Sequence, residues 1–300
     1  MRLFLWALSW ILLGLLPLYS TAQQDTLTNI SNAFGAFSDT SSNQNRRALL
    51  DALAVYDGPP TVMTVNAHLT VMMHDAPSKK YRRIAESADA ARKHLEPISA
   101  TLPKQYLDAR FMAAIARFNA YDDANAVLEM AHVHGKTQTM RGEEIVWDDW
   151  AKTLHYRAFA WTEAMQASRA LSGATKTSIK NQVEDILSTY ANPLPQTKTS
   201  DQNQLEFCDG EMKYPRKISY PTRAIQRGKF GSIVLGYGFD EEGRVINAEV
   251  LASVPVDTFD KESLKWIKSA YFKPADKDQV GVTCRLNRTN ITQTLTFSLG

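Results

Sequence analysis

The sequence predicts an α+β protein of several domains. A long all-α, repeat-like N-terminal region precedes a small C-terminal α+β domain built on a three-stranded antiparallel sheet. Three observations predict it. Apolar residues recur at helical spacing across residues 46–191. In the last eighty or so residues, stretches 232–239, 245–252 and 291–299 read instead as strands, the first and last alternating with a period of two. Between the two regimes, residues 192–206 are polar, contain Pro193 and Pro195, and read as a linker.

Taken in order, residues 1–22 read as an export signal. Arg2 supplies a positive start, residues 3–16 an apolar core, and Ser20-Thr21-Ala22 a small-residue cleavage site. The competing reading is an uncleaved anchor, but the apolar run 3–19 has 17 residues and a bilayer span needs roughly 20. The expectation is cleavage after Ala22 and a periplasmic location, with an inner-membrane anchor as the alternative. Residues 23–45, rich in Ser, Thr, Asn and Gln, read as a flexible polar lead-in.

Four apolar stripes define the helical region. They are Leu107, Phe111, Ala114 and Phe118; Ala124, Val127, Leu128 and Ala131; Trp147, Trp150, Leu154, Ala158 and Trp161; and Ile179, Val183, Ile186, Leu187 and Tyr190. Turn signals fall at Gly58-Pro59-Pro60, Ala76-Pro77-Ser78, Pro97, Pro103, Gly135 and Gly173. Helix pairs joined by short turns suggest a stacked array of the tetratricopeptide kind, with a plain bundle as the alternative.

In the C-terminal domain, Pro221 starts a short helix that Gly228 ends. The first strand puts Ile233, Leu235, Tyr237 and Phe239 on one face and Ser232, Val234, Gly236 and Gly238 on the other. That second face is thin, which implies something packed close against it. Residues 240–243 make a hairpin turn with Gly243 able to take positive φ. A helix follows, capped by Asp257, Thr258 or Asp260, with Leu264, Ile267 and Tyr271 at helical spacing. The last strand, 291–299, carries no charge. A three-stranded sheet leaves two edges, and an extended peptide can add to an edge as another strand.

The ordered set Tyr220-Pro221, Ala224, Gly228 and Gly231, then Asp240-Glu241-Glu242-Gly243-Arg244-Val245, Ser253 and Phe272-Lys273-Pro274 resembles the C-terminal domain of the TonB family. The resemblance covers about eighty residues. It implies a clamp that binds the periplasmic segment of an outer-membrane receptor by strand addition. It places the contact at Ser219, Tyr220, Pro221 and Arg223 and along Ile291, Gln293, Leu295 and Phe297. The position before Tyr-Pro is often Gln in the family; here it is Ser219. On the cleaved-signal reading, the family's uncleaved anchor and long proline-rich spacer are expected to have no counterpart here. The expectation is therefore an envelope adaptor bound to a receptor peptide or another envelope protein. The alternatives are an anchored energy transducer coupled to inner-membrane motor proteins, and a scaffold module that forms a homodimer.

The two cysteines, Cys208 and Cys284, are expected to pair in an oxidising compartment, pinning the incoming linker beside the sheet. His132 and His134 are two apart and face different sides of a helix, so they make poor joint metal ligands. His68, His74, His94 and His155 read as packing or surface residues. Glu143, Glu144, Asp148 and Asp149 suit a helix start. The sequence carries no catalytic constellation, phosphate loop or cofactor motif. Its net charge of +2, with both signs spread throughout, argues against a nucleic-acid footprint. The expectation is a binding protein with no enzyme activity, metal or cofactor.

Overall fold

The computed structural model describes residues 21–140, 149–190 and 205–298. The export segment up to residue 20, the acids Glu143, Glu144 and Asp148, Trp147, the linker up to residue 204 and Leu299 lie outside the described residues.

Among the described residues, eight α-helices form the N-terminal region: α1 (Thr21–Asp39), α2 (Asn43–Ala54), α3 (Val62–Asp75), α4 (Tyr81–Leu95), α5 (Pro103–Tyr121), α6 (Asn125–Met140), α7 (Asp149–Ala167) and α8 (Gly173–Tyr190). Most pack on their neighbours in sequence, and α8 turns back onto α6. The described members of the four apolar stripes fall on or just before α5, α6, α7 and α8, and all but Tyr190 meet in one core. Proline punctuation works as expected: Pro77 and Pro97 sit in short 3-10 turns and Pro103 opens α5.

Two readings need correction. Residues 23–45 are not a flexible lead-in but α1 and the start of α2. Their polar composition conceals a narrow stripe, Ile30, Phe34 and Phe37, which packs on Leu49, Leu53, Ala67 and Val71. Ser42 then caps α2 by accepting from the Asn45 amide at 3.1 Å. Gly135 is not a turn but lies buried inside α6. A Cβ there would sit 2.2 Å from the Tyr190 ring, so glycine lets α8 close onto α6.

The C-terminal domain runs β1 (Glu206–Phe207), β2 (Gly210–Lys213), α9 (Thr222–Gln226), β3 (Gly231–Phe239), β4 (Val245–Val254), α10 (Asp260–Ile267), β5 (Tyr271–Pro274), β6 (Cys284–Arg285) and β7 (Arg288–Phe297). The main sheet has the order β4-β3-β7, antiparallel throughout. Ile233, Leu235, Tyr237 and Phe239 build its core with Phe259, Trp266 and Ile267 from and beside α10. Gly243 takes φ +76 in the hairpin turn, as its place required.

Some boundaries differ from expectation. Pro221 is the residue before α9, not its first. Phe259 occupies the cap position of α10 with no side-chain hydrogen bond, and Asp260 is the first helical residue. Tyr271 belongs to β5 because α10 stops at Ile267. β7 begins at Arg288, so the strand starts on a cation. The short strands β1, β2, β5 and β6 were not legible. β2 pairs antiparallel with β5, and β1 pairs parallel with β6.

The second face of the sheet is covered by α7. This helix carries two stripes. Trp150, Leu154, Ala158, Trp161 and Met165 enter the helical core. Tyr156, Phe159, Ala160 and Ala164 meet Val234, Leu251, Ala252 and Val254. The two alanines let the helix lie close to the strands. Phe230, just before β3, packs into the helical core in return. The helical region and the sheet therefore share an apolar interface.

Candidate peptide-binding edge

β7 pairs with β3 on one side, and among the described residues no strand pairs with its other side. An edge strand of this kind offers a row of backbone donors and acceptors. The side chains of β7 alternate. Phe297 is buried in the domain core, and Ile291 and Leu295 pack against it while staying partly exposed. Along its unpaired side the strand presents backbone.

The Tyr-Pro corner is fixed to the end of this strand by aromatic packing. Phe297 stacks on Phe259 at 4.2 Å, and Tyr220 stands edge-on to both rings at 5.5 Å. The Tyr220 hydroxyl donates to the Lys229 carbonyl. Burial holds its pKa above the ordinary value, against the opposing charge of Arg169, so it stays a donor. Ser219, Tyr220, Pro221 and Arg223 line an open groove of about 540 Å³ together with Arg227 and Glu262. The structure thus brings the Tyr-Pro set and the end of β7 to one corner. Ser219 and Arg223 are exposed there, whereas Tyr220 acts as a structural anchor.

Gln293 is the polar residue on the core side of β7. Its amide donates to the Tyr214 hydroxyl at 3.1 Å, and its carbonyl accepts from Tyr237 at 3.3 Å. Tyr214 stacks on Trp266 at 4.5 Å with an interplanar angle of 6°. Burial foremost, with Tyr214 nearby, pushes the Tyr237 hydroxyl up to about 12, so it remains a donor at neutral pH. The strap that carries Tyr214 is held by the Cys208–Cys284 disulfide and by the β1–β6 and β2–β5 pairings. The bridge pins the incoming chain beside the sheet, as the sequence suggested.

Sequence reasoning missed Tyr214 and Tyr237 as partners of Gln293. It also missed a charge signal that was there to be read. Residues 212–239 hold Lys213, Arg216, Lys217, Arg223, Arg227 and Lys229 and no Asp or Glu. From the helical side, Glu163 of α7 reaches Thr296 of β7, whose hydroxyl donates to Glu163 Oε2 at 3.4 Å.

No described helix is long and apolar enough to cross a membrane. Residues 216–293 match the family model for the C-terminal region of the Gram-negative bacterial TonB protein. Among curated proteins, "Protein TonB" of Yersinia enterocolitica is 37% identical over 65 residues, which is 21% of this chain and 26% of that protein. The chain thus spans about a quarter of the length of the curated relative it matches. Residues 216–293, with the β3–β4 hairpin, α10 and most of the β7 edge, form a TonB C-terminal domain, carried here behind an all-α region.

Proposed function

We propose that this chain is a non-enzymatic adaptor of the Gram-negative envelope. Its C-terminal domain binds an extended segment of an outer-membrane receptor by adding it to β7 as a fourth strand. The helical region offers a second protein-binding surface. The chain is exported, loses its segment through Ala22, and works in the periplasm. The observation that carries the reading is the open β7 edge, which begins inside the matched TonB C-terminal region, runs four residues past it, and lies beside the Tyr-Pro groove. Strand addition takes its affinity from main-chain hydrogen bonds and its specificity from alternate side chains.

The test uses the full chain and receptor-derived extended peptides. Methylating peptide nitrogens that would bond β7 should abolish binding. Methylating the alternate nitrogens should leave it intact. Equal effects from both sets, or no peptide bound and no receptor captured, would remove the reading.

A further inference from the structure

A peptide strand added to β7 would point alternate side chains to opposite faces. One set would lie on the side of Tyr214. The other would lie on the side of Thr292, Thr294 and Thr296, the face that α7 covers. The helical region, outside the matched residues, therefore borders the edge as well.

Glu163 is the acid at that border. It is half-buried on α7. Its hydrogen bond from Thr296, at 3.4 Å, is long for an O–H donor to a carboxylate. Among the described residues it has no ion-pair partner. Lys180 of α8 is near enough to favour its charged form but pairs with Glu184, and its side chain is 66% exposed. Burial outweighs these helpers and holds the Glu163 carboxyl above its ordinary value. A carboxylate removed from water without a cation costs stability, and a neutral residue of the same shape would cost less. The open edge beside it leaves room for a cation from a partner.

We infer that Glu163 is a specificity-determining residue of the β7 edge, selecting a peptide that carries a Lys or Arg beside Thr296. The inference rests on the strand-addition reading. Neighbouring strands lie about 4.8 Å apart, so a long cationic side chain on the added strand can reach a carboxylate that already touches Thr296. The resulting pair would be partly shielded from solvent, and charge-assisted bonds are stronger there than at an open surface.

The experiment titrates the full chain with a labelled peptide of about ten alternating Thr and Val residues. A companion set carries one Lys at each position in turn. The expected result is binding of the neutral peptide and a gain on the order of tenfold for Lys at one position. In Glu163→Gln, an isosteric change, that gain should vanish while the neutral peptide binds within about twofold of wild type. Binding with no preferred Lys position, or a preference that survives in Glu163→Gln, overturns the inference and leaves strand addition standing. If neither the neutral peptide nor any Lys peptide binds, strand addition itself falls, and the inference with it.

Discussion

Acid should destabilise the helical region through two buried histidines, His68 and His134, which are 6% and 7% exposed. The His68 ring lies 4.6 Å from His94, and the His134 ring 4.7 Å from His155. His134 also stacks on Phe159 at 4.8 Å. Burial first, and the neighbouring imidazole second, lower each pKa to about 3. In the unfolded chain both titrate near 6.5. Between these values the unfolded state binds more protons than the folded one, so stability falls as pH falls. The stabilisation is complete above pH 6.5 and is lost progressively down to about 3. At pH 5, about 1.5 units below the unfolded value, each histidine costs about 2 kcal/mol at about 1.4 kcal/mol per unit. The assay is urea unfolding followed by tryptophan fluorescence at pH 7.5 and pH 5. His134→Phe keeps a ring against Phe159 and cannot titrate. It should lose about 2 kcal/mol less than wild type on acidification. Asp108, Glu163 and Asp260, which burial raises, act in the opposite direction but are common to both proteins. Equal acid losses in wild type and variant would refute the reasoning.

Gly135→Ala has a sign that separates two accounts. In an ordinary helix interior alanine would gain about 1 kcal/mol. Here the new Cβ falls 2.2 Å from the Tyr190 ring, so a loss of about 1–3 kcal/mol is expected, read as a lower urea midpoint. Replacing Cys208 and Cys284 together by serine opens a link across a sequence separation of 76. The chain-entropy model gives a loss of roughly 4 kcal/mol, and a melting temperature indifferent to reductant would contradict it.

How much of this was legible in the sequence varied with the number of partners each element serves. The stripes on α6 and α8 face one core, so their period was readable, whereas α5 was read only by its side toward that core and not by Ala109, Ala113 and Ala116, which pack toward α3 and α4. α1 was missed because its large core-facing residues, Ile30, Phe34 and Phe37, sit among mostly polar ones and composition outvoted spacing. α7 was read by half. Its stripe toward the helical core has large side chains, whereas its stripe toward the sheet includes Ala160 and Ala164, which carry little signal. The short strands β1, β2, β5 and β6 depend on partners up to about eighty residues away, and no local pattern encodes such pairing. In the site, the Tyr-Pro corner and the final strand were visible as motifs. The contact of Glu163 with Thr296 crosses 133 positions and leaves no trace in spacing.

The docking of α7 also decides which part of the sheet is left for a partner. One face is filled by α10 and the other is covered by α7, so a ligand strand is left with an edge. The two edges are not equivalent. Along β4 the register with β3 shifts twice, between Val234 and Leu235 and between Gly236 and Gly238. Asn247 takes φ 53 near the second shift. Such bulges twist a strand and spoil it as a template. Along β7 the shift falls at its beginning, where Asn290 takes φ 58. From Ile291 to Phe297 the pairing with β3 is unbroken. A partner strand needs such a regular run of donors and acceptors. β7 provides it beside the Tyr-Pro groove, with its inward side chains held by Phe259 and Gln293 anchored to Tyr214 and Tyr237. The edge offered for pairing is thus the one that the disulfide-pinned strap and the covering helix together hold in place.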